Sequence, residues 1–237
     1  MTRSRFGSRN GTTYPEPVSD LQPVTEGVFF TMPAALPRGK HALPREQVIE
    51  AQRERMLIAV TELLAARGPR EIGPKDVCTQ AGLSLSAFYG CFDTKEDCVF
   101  AAYDRFIEVL LTRLLEVDAA EQPWEQYVDA IIHAYLDTLG SDLVVARAFQ
   151  VEMDALGAPA RRRRREALSA MADLLRHKHI ERDAQAAERL PFSAYLAGVY
   201  GVRQLASDEL EQSAEPALSE LASEAASWVA ELFGITP

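Results

Sequence analysis

From Pro44 onward apolar residues recur at steps of three and four, and nowhere do they alternate with period two for long enough to make a strand. Ile49, Met56, Val60, Leu63 and Leu64 carry the pattern until Gly68-Pro69 stops it, and Pro44 suits a first helical turn. Pro74 opens a second, short segment, PKDVCTQA, which Gly82 ends; Ser84 is placed to cap a third that runs to Tyr89 or Phe92. Asp93 and Glu96 have the spacing of a capping box ahead of a long striped helix through Val99, Tyr103, Phe106, Leu110 and Leu114. Further helices are expected at about 123–139, 142–156, 159–181, 191–210 and 215–233. The expected fold class is therefore all-α.

Hydrophobic residues make up 47% and charged residues 25% of 237, values that suit a soluble globular chain with a sizeable core. No apolar run nears the roughly 20 residues needed to span a bilayer, and the N-terminus lacks the order of a signal peptide, so a cytoplasmic location is expected. Cys78, Cys91 and Cys98 have no C-x-x-C spacing and read as buried reduced thiols. His177 and His179 stand two apart and face different sides of a helix, so no metal site is expected. The chain contains no G-x-S-x-G, Walker, H-E-x-x-H or G-x-G-x-x-G motif, and neither catalytic residues nor a cofactor are expected.

Net charge is −10, unevenly spread: residues 1–95 hold 12 Lys+Arg against 10 Asp+Glu, and residues 96–237 hold 13 against 25. That asymmetry suggests a near-neutral to basic N-terminal module on an acidic body. Residues 1–43 hold five prolines and no sustained helical period, and read as a flexible arm, although GVFFTMP at 27–33 is apolar enough to dock. The run ARRRRRE at 160–166 points around a helix rather than along one face, and reads as a solvated helix start.

The pair of short segments meeting at Gly82 has helix-turn-helix spacing. Val77 and Ala81 lie one turn apart, Gly82 permits a positive φ, and Leu83 plugs the corner. Such a unit presents its second helix to a DNA major groove. Residues 45–104 resemble the DNA-binding domain of the TetR family of transcriptional regulators. The matching marks are the first helix ending at Gly68, Ala81-Gly82-Leu83-Ser84, Phe88-Tyr89, Phe92, and Lys95-Glu96 opening the next helix. The preceding LPRGKHALPREQV also resembles a linker of actinobacterial members.

The resemblance implies a flexible arm (1–43), a three-helix DNA-binding domain (44–97) and a larger helical effector-binding and dimerisation domain (98–237). It implies a homodimer on a palindromic operator, usually a repressor, released when a small molecule enters the body. It makes Ser84, Leu85, Ser86 and Ala87 the groove-facing start of the recognition helix, with Tyr89 and Lys95 on phosphates and Lys75 near the backbone. Three departures subtract contacts: Gly73 where a threonine is common, Leu85 where a basic or polar residue is common, and Gly90 where a histidine or other polar residue is usual. Arg38, Lys40 and Arg45 are available for phosphates, with the PRGKH segment reaching a minor groove.

In the body, Tyr103, Phe106, Tyr127, Ile131, Tyr135, Phe149, Met153 and Tyr195 have the composition of a pocket for a small apolar or aromatic effector, which is equally the composition of a core. Ala194, Ala197, Gly198 and Gly201, with the stripe Leu218, Leu221, Ala225, Trp228 and Leu232, are the expected dimer surface of the last two helices. The alternative reading is a ligand-binding or protein-interaction dimer whose helix-turn-helix has lost specific DNA recognition.

Overall fold

Pro44 has no N–H to leave unpaired and starts α1 (Arg45–Arg67), which stops where Gly68 takes a φ of 69° and returns its N–H to the Leu64 carbonyl at 2.9 Å. The computed structural model describes residues 21–34, 44–117 and 122–233. Every position of α1 from Met56 to Leu64 is buried. A helix covered on all sides needs neighbours on all sides. These are α2 (Pro74–Ala81), α3 (Leu85–Cys91), α4 (Lys95–Leu115) and α6 (Leu143–Gln150). The two polar residues in the buried run are satisfied. Thr61 Oγ1 donates to the Leu57 carbonyl at 2.8 Å, while Glu62 accepts from the Val24 N–H at 3.2 Å and from Gln80 Nε2 at 2.8 Å.

The remaining helices are α5 (Trp124–Gly140), α7 (Ala158–Arg182), α8 (Ala184–Arg189), α9 (Phe192–Gln212) and α10 (Leu218–Leu232). The described residues hold ten α-helices and no strand beyond an isolated bridge between Glu26 and Phe30, so the fold is all-α. α10 lies along α5 and α9, and α7 packs on α9. One continuous apolar core runs from Phe29 to Phe233. None of the described helices is long and apolar enough to cross a membrane.

Three local expectations need correction. The cap of α4 is Thr94, whose Oγ1 accepts from Asp97 N–H at 3.1 Å while Asp97 Oδ2 accepts from Thr94 N–H at 3.0 Å; the box is one residue beyond Asp93 and Glu96. The helix expected at 142–156 breaks at Val151 into α6 and a 3₁₀ turn, Glu152–Leu156. The Gln150 carbonyl accepts from Arg203 Nη2 and Ser207 Oγ, taking it out of the helical ladder. The short α8 has no counterpart among the expected helices. Its signal is Asp183, whose carboxylate accepts the Ala186 N–H at 2.8 Å.

Residues 21–34, expected within the flexible arm, are tied to the body. Phe29 and Phe30 are buried, and the Phe29 ring sits 5.5 Å from that of Phe106. Besides the Glu62 contact, the Thr25 N–H donates to Asp142 Oδ2 at 2.7 Å, and Arg55 Nη2 donates to the Pro33 carbonyl at 3.2 Å. Burying two phenylalanines stabilises this strap by roughly 1.5–3 kcal/mol each. Residues 1–20 and 35–43, with Arg38 and Lys40, lie outside the described residues.

Cys78 and Cys98 are buried and Cys91 half-buried, all three as free thiols, and burial raises their pKa values. His179 is buried in α7, stacked on Trp124 at 4.2 Å, with Nδ1 2.7 Å from the Tyr195 hydroxyl. Burial lowers its pKa below the ordinary 6.5. The unfolded chain therefore binds this proton first, and the stability it contributes is present above about pH 6.5 and lost as pH falls below it. The variant His179→Phe keeps a ring on Trp124 but strands the Tyr195 hydroxyl. It is expected to cost roughly 1–3 kcal/mol at neutral pH, and denaturant titrations at several pH values are expected to show a shallower loss below pH 6.5 than the parent.

Candidate DNA interface and effector cleft

α2 ends in a left-handed Gly82 (φ 66°, ψ 35°), whose N–H bonds to the Thr79 carbonyl at 3.2 Å while the Leu83 N–H returns to Cys78 at 2.9 Å. Leu83 packs against the core beyond the turn. Ser84 then caps α3, its Oγ accepting from the Ala87 N–H at 3.2 Å. Phe88 is fully buried between α3 and the rest of the head, near the rings of Tyr89 and Phe92 at 5.5 and 5.8 Å. The side of α3 turned to solvent carries Ser86, Tyr89 and Gly90, with Ser84 at its start. Leu85 and Ala87, expected to face the groove, are half-buried against the core.

Charge is placed differently from the expectation. Lys95 is turned inward, only 15% exposed in its side chain; its Nζ donates to the carbonyls of Pro69 (2.7 Å) and Ile72 (3.1 Å) and pairs with Glu96 at 3.4 Å. An ammonium has three donors, so these contacts occupy Lys95 in closing the α1–α2 loop rather than on a phosphate. Arg53 stacks over the Phe92 ring at 4.7 Å. Arg45 and Lys75 are exposed. Residues 44–97 carry seven lysines and arginines against nine aspartates and glutamates, so the folded head has no excess positive charge. Gly73 leads into α2 with extended backbone, and Asp76 Oδ2 accepts its N–H at 2.8 Å; lacking a hydroxyl, it gives no cap in return.

In the body, a cleft of about 60 Å³ opens between α5, α7, α9 and the end of α10. Ile131 and Tyr135 line it, together with Leu168, Met171, Val202 and Phe233. A smaller void of about 20 Å³ adjoins it, lined by Tyr103, Tyr135, Phe149, Gln150, Arg164 and Arg203. Four expected pocket residues line neither. Phe106 is packed among the rings of Phe29, Tyr103 and Phe149, and Met153 is buried in the 3₁₀ turn. Tyr127 and Tyr195 belong to the cluster around Trp124 and His179. Burial pushes the Tyr103 hydroxyl up to about 12 and the Tyr135 hydroxyl higher still. The contribution of α7 is hidden in the sequence because its start is dominated by arginines; Arg203, a lone cation inside the apolar stretch GVYGVRQLAS, is the signal for the polar end.

Of the expected dimer surface, Gly198, Leu218 and Ala225 are buried within the chain because α10 packs on both α5 and α9. Ala197 and Leu232 are exposed, and Ala194, Gly201, Leu221 and Trp228 are half-buried. Tyr200 and Leu205 add exposed apolar surface on α9. A Cβ on Gly201 would stand 2.7 Å from Trp228 Cη2, so this glycine lets the indole lie on α9. Among the described residues no group of three or more His, Cys, Asp or Glu could hold a metal ion.

Two substitutions probe these features. A Cβ at Gly90 meets nothing within 4 Å, so Gly90→Ala is expected to stabilise the protein by about 0.5–1 kcal/mol in urea unfolding. Gly201→Ala must push the Trp228 ring aside, with an expected loss of about 1–3 kcal/mol and a changed tryptophan emission spectrum.

No family model matches the chain. Over 125 residues it is 26% identical to the HTH-type transcriptional activator FasR of Mycolicibacterium smegmatis, a match that takes in 53% of this chain and 55% of that protein. The chain thus spans about half the length of the curated relative it matches. Among solved structures it superposes on a TetR-family transcriptional regulator of Syntrophomonas wolfei with a TM-score of 0.66 at 12% identity, covering 78% of this chain and 96% of that one. It also superposes on the transcriptional regulator FadR of Bacillus subtilis in complex with stearoyl-CoA, with a TM-score of 0.61 at 17% identity, covering 77% and 98%. The chain resembles TetR-family transcriptional regulators and has their fold, a helix-turn-helix head on a larger all-helical body.

Proposed function

We propose that this chain is a sequence-specific DNA-binding transcriptional regulator that works as a homodimer and changes its hold on DNA when a small, largely apolar effector enters the body. The observation that carries the reading is the helix-turn-helix itself. Gly82 sets the corner, Phe88 anchors α3 to the head, and Ser86 and Tyr89 are left facing outward on a helix of groove-reading size. Serine hydroxyls can meet either kind of base edge, and Tyr89, 55% exposed, can reach a phosphate. Exposed Tyr200, Leu205 and Leu232 on α9 and α10 supply apolar surface for a second copy. The M. smegmatis relative bears the name of an activator, so repression, usual in the family, is not carried over to this chain. The reading involves no catalytic step and places the protein with DNA in the cytoplasm.

A head without excess positive charge has to draw its phosphate contacts from Arg45, Lys75 and the arginine and lysine at 38 and 40. A second reading has specific support. Lys95 occupied by carbonyls, and glycines at 73 and 90, describe a head that has given up contacts, as in a ligand-binding or protein-interaction dimer without specific DNA recognition.

Selection of genomic fragments with the purified dimer separates the two. A regulator is expected to enrich one palindrome whose half-sites lie about one helical turn or a multiple apart, and no enrichment over random competitor sinks this reading. Truncating the arm would also strip Phe29 and Phe30 from the core, so its role is tested with the double variant Arg38→Ala, Lys40→Ala. The expected result is weaker binding to all duplexes and a salt slope shallower by about one for each phosphate that is no longer neutralised.

A further inference from the structure

The cleft and its adjoining void share Tyr135, Leu168, Met171 and Arg203, so they form one path from an apolar mouth to a charged end. At that end Arg203 is buried, only 6% exposed. Its Nε donates to Gln150 Oε1 at 3.2 Å, Nη1 to Gln204 Oε1 at 3.3 Å and Nη2 to the Gln150 carbonyl. Arg164 stands beside it. Both guanidiniums turn to a single carboxylate, Asp154, which pairs with Arg164 and lies 3.6 Å from Arg203. The nearby Asp104 is paired with Arg163 at 2.7 Å, whereas Asp208, which accepts from the neutral Gln204 amide at 2.7 Å, keeps its charge and acts on Arg203 from beyond ion-pair distance. At ion-pair distance two guanidiniums share one carboxylate, and Asp208 offsets Arg203 only from farther off, so the inner end of the path is locally positive beside apolar walls, an arrangement that favours a bound anion.

The Tyr135 hydroxyl points the same way. It is buried, lines both the cleft and the void, and has no hydrogen-bond partner; the Gln150 amide faces it without closing a bond of ordinary geometry, its oxygen being given to Arg203. A stranded buried hydroxyl costs free energy that a ligand acceptor would recover.

We propose that the cleft binds a monocarboxylate with an apolar body. The body lies between α5, α7 and α9, and the carboxylate sits at the inner end on Arg203, Arg164 and the Tyr135 hydroxyl. This rests on the cleft being the effector site of the proposed regulator, and it names the effector's chemistry. Arginine suits a carboxylate because its planar fork can present two N–H groups to both oxygens. The cleft of about 60 Å³ is small beside the roughly 300–1,000 Å³ of drug-sized sites, so entry must displace its walls. Met171 can yield by rotation, and Phe233, whose ring would lie 3.2 Å from a Cβ on Gly198, yields only if the end of α10 shifts against α9. Carboxylate binding would in this way be felt at the surface proposed for the second copy.

Calorimetric titration of the full chain with hexanoate, decanoate, 3-phenylpropionate, methyl decanoate, decan-1-ol and decanoyl-CoA tests it. At least one free acid is expected to bind, with decanoate at least tenfold tighter than its methyl ester or the alcohol; the preferred acid tells an alkyl from an aromatic body. Tyr135→Phe removes a buried hydroxyl with no partner, so it is expected to hold or raise the unfolding midpoint while weakening the acid about three- to tenfold. Arg203→Lys, which retains charge but loses the fork, is expected to weaken it more than tenfold. The proposal is overturned if no acid binds, if ester, alcohol or thioester binds as tightly as the acid, or if Tyr135→Phe leaves acid affinity unchanged. The two proposals fail separately. Acid binding without any selected DNA removes the regulator and keeps the site, whereas a selected operator released by the thioester or alcohol but not by the acids removes the site and keeps the regulator.

Discussion

The structure depends on α1 being buried on every side from Met56 to Leu64. A helix buried all round cannot lie on a surface; it needs neighbours on every side. α2 and α3 cover one side, and α4, α6 and the 24–33 strap cover the rest. Glu62 in this run joins α1 to α2 through Gln80 and to the strap through Val24, and Asp142 joins the strap to the cap of α6. The head is therefore packed into the body's core rather than linked to it, and a shift of α4 or α6 has a mechanical route to α3.

Positive charge in this molecule is kept away from the places that a simple reading of function would put it. The second helix of the helix-turn-helix, α3, has none, and Lys95 is spent on the carbonyls of Pro69 and Ile72. Inside the body, by contrast, Arg203 and Arg164 are held together with one close carboxylate; burial lowers the pKa of both, and at Arg164 the charge of Arg203 lowers it further. Holding cations in an apolar interior is expensive unless each is hydrogen-bonded, and Arg203 meets that demand through Gln150, whose carbonyl is pulled out of α6. The break at Val151 and the charged end of the cleft thus have one cause.

Local signals were legible and non-local ones were not. Gly82 and Ser84 act through bonds to residues within five positions, so their roles could be read from order alone. Thr94 against Asp93 is a matter of which of two adjacent caps takes extended backbone, which spacing leaves open. The eight aromatic and apolar residues proposed for the pocket share one composition, yet the fold sends four of them to the core away from the cleft; nothing in an apolar side chain says which side of it a void will occupy. Gly198, Leu218 and Ala225 likewise carried the pattern of a contact surface, and the surface they meet belongs to this same chain.

By itself the order of residues determined an all-helical chain with a helix-turn-helix near its start. Helical periodicity, glycine at a left-handed turn and serine at a cap each work within a few residues. Only the tertiary structure decided that the strap carrying Phe29 and Phe30 closes over α1, that Lys95 faces inward, and that Tyr135 meets Arg203 beside a cleft. Those outcomes pair residues far apart in the chain, and their energies exist only once the intervening helices have packed.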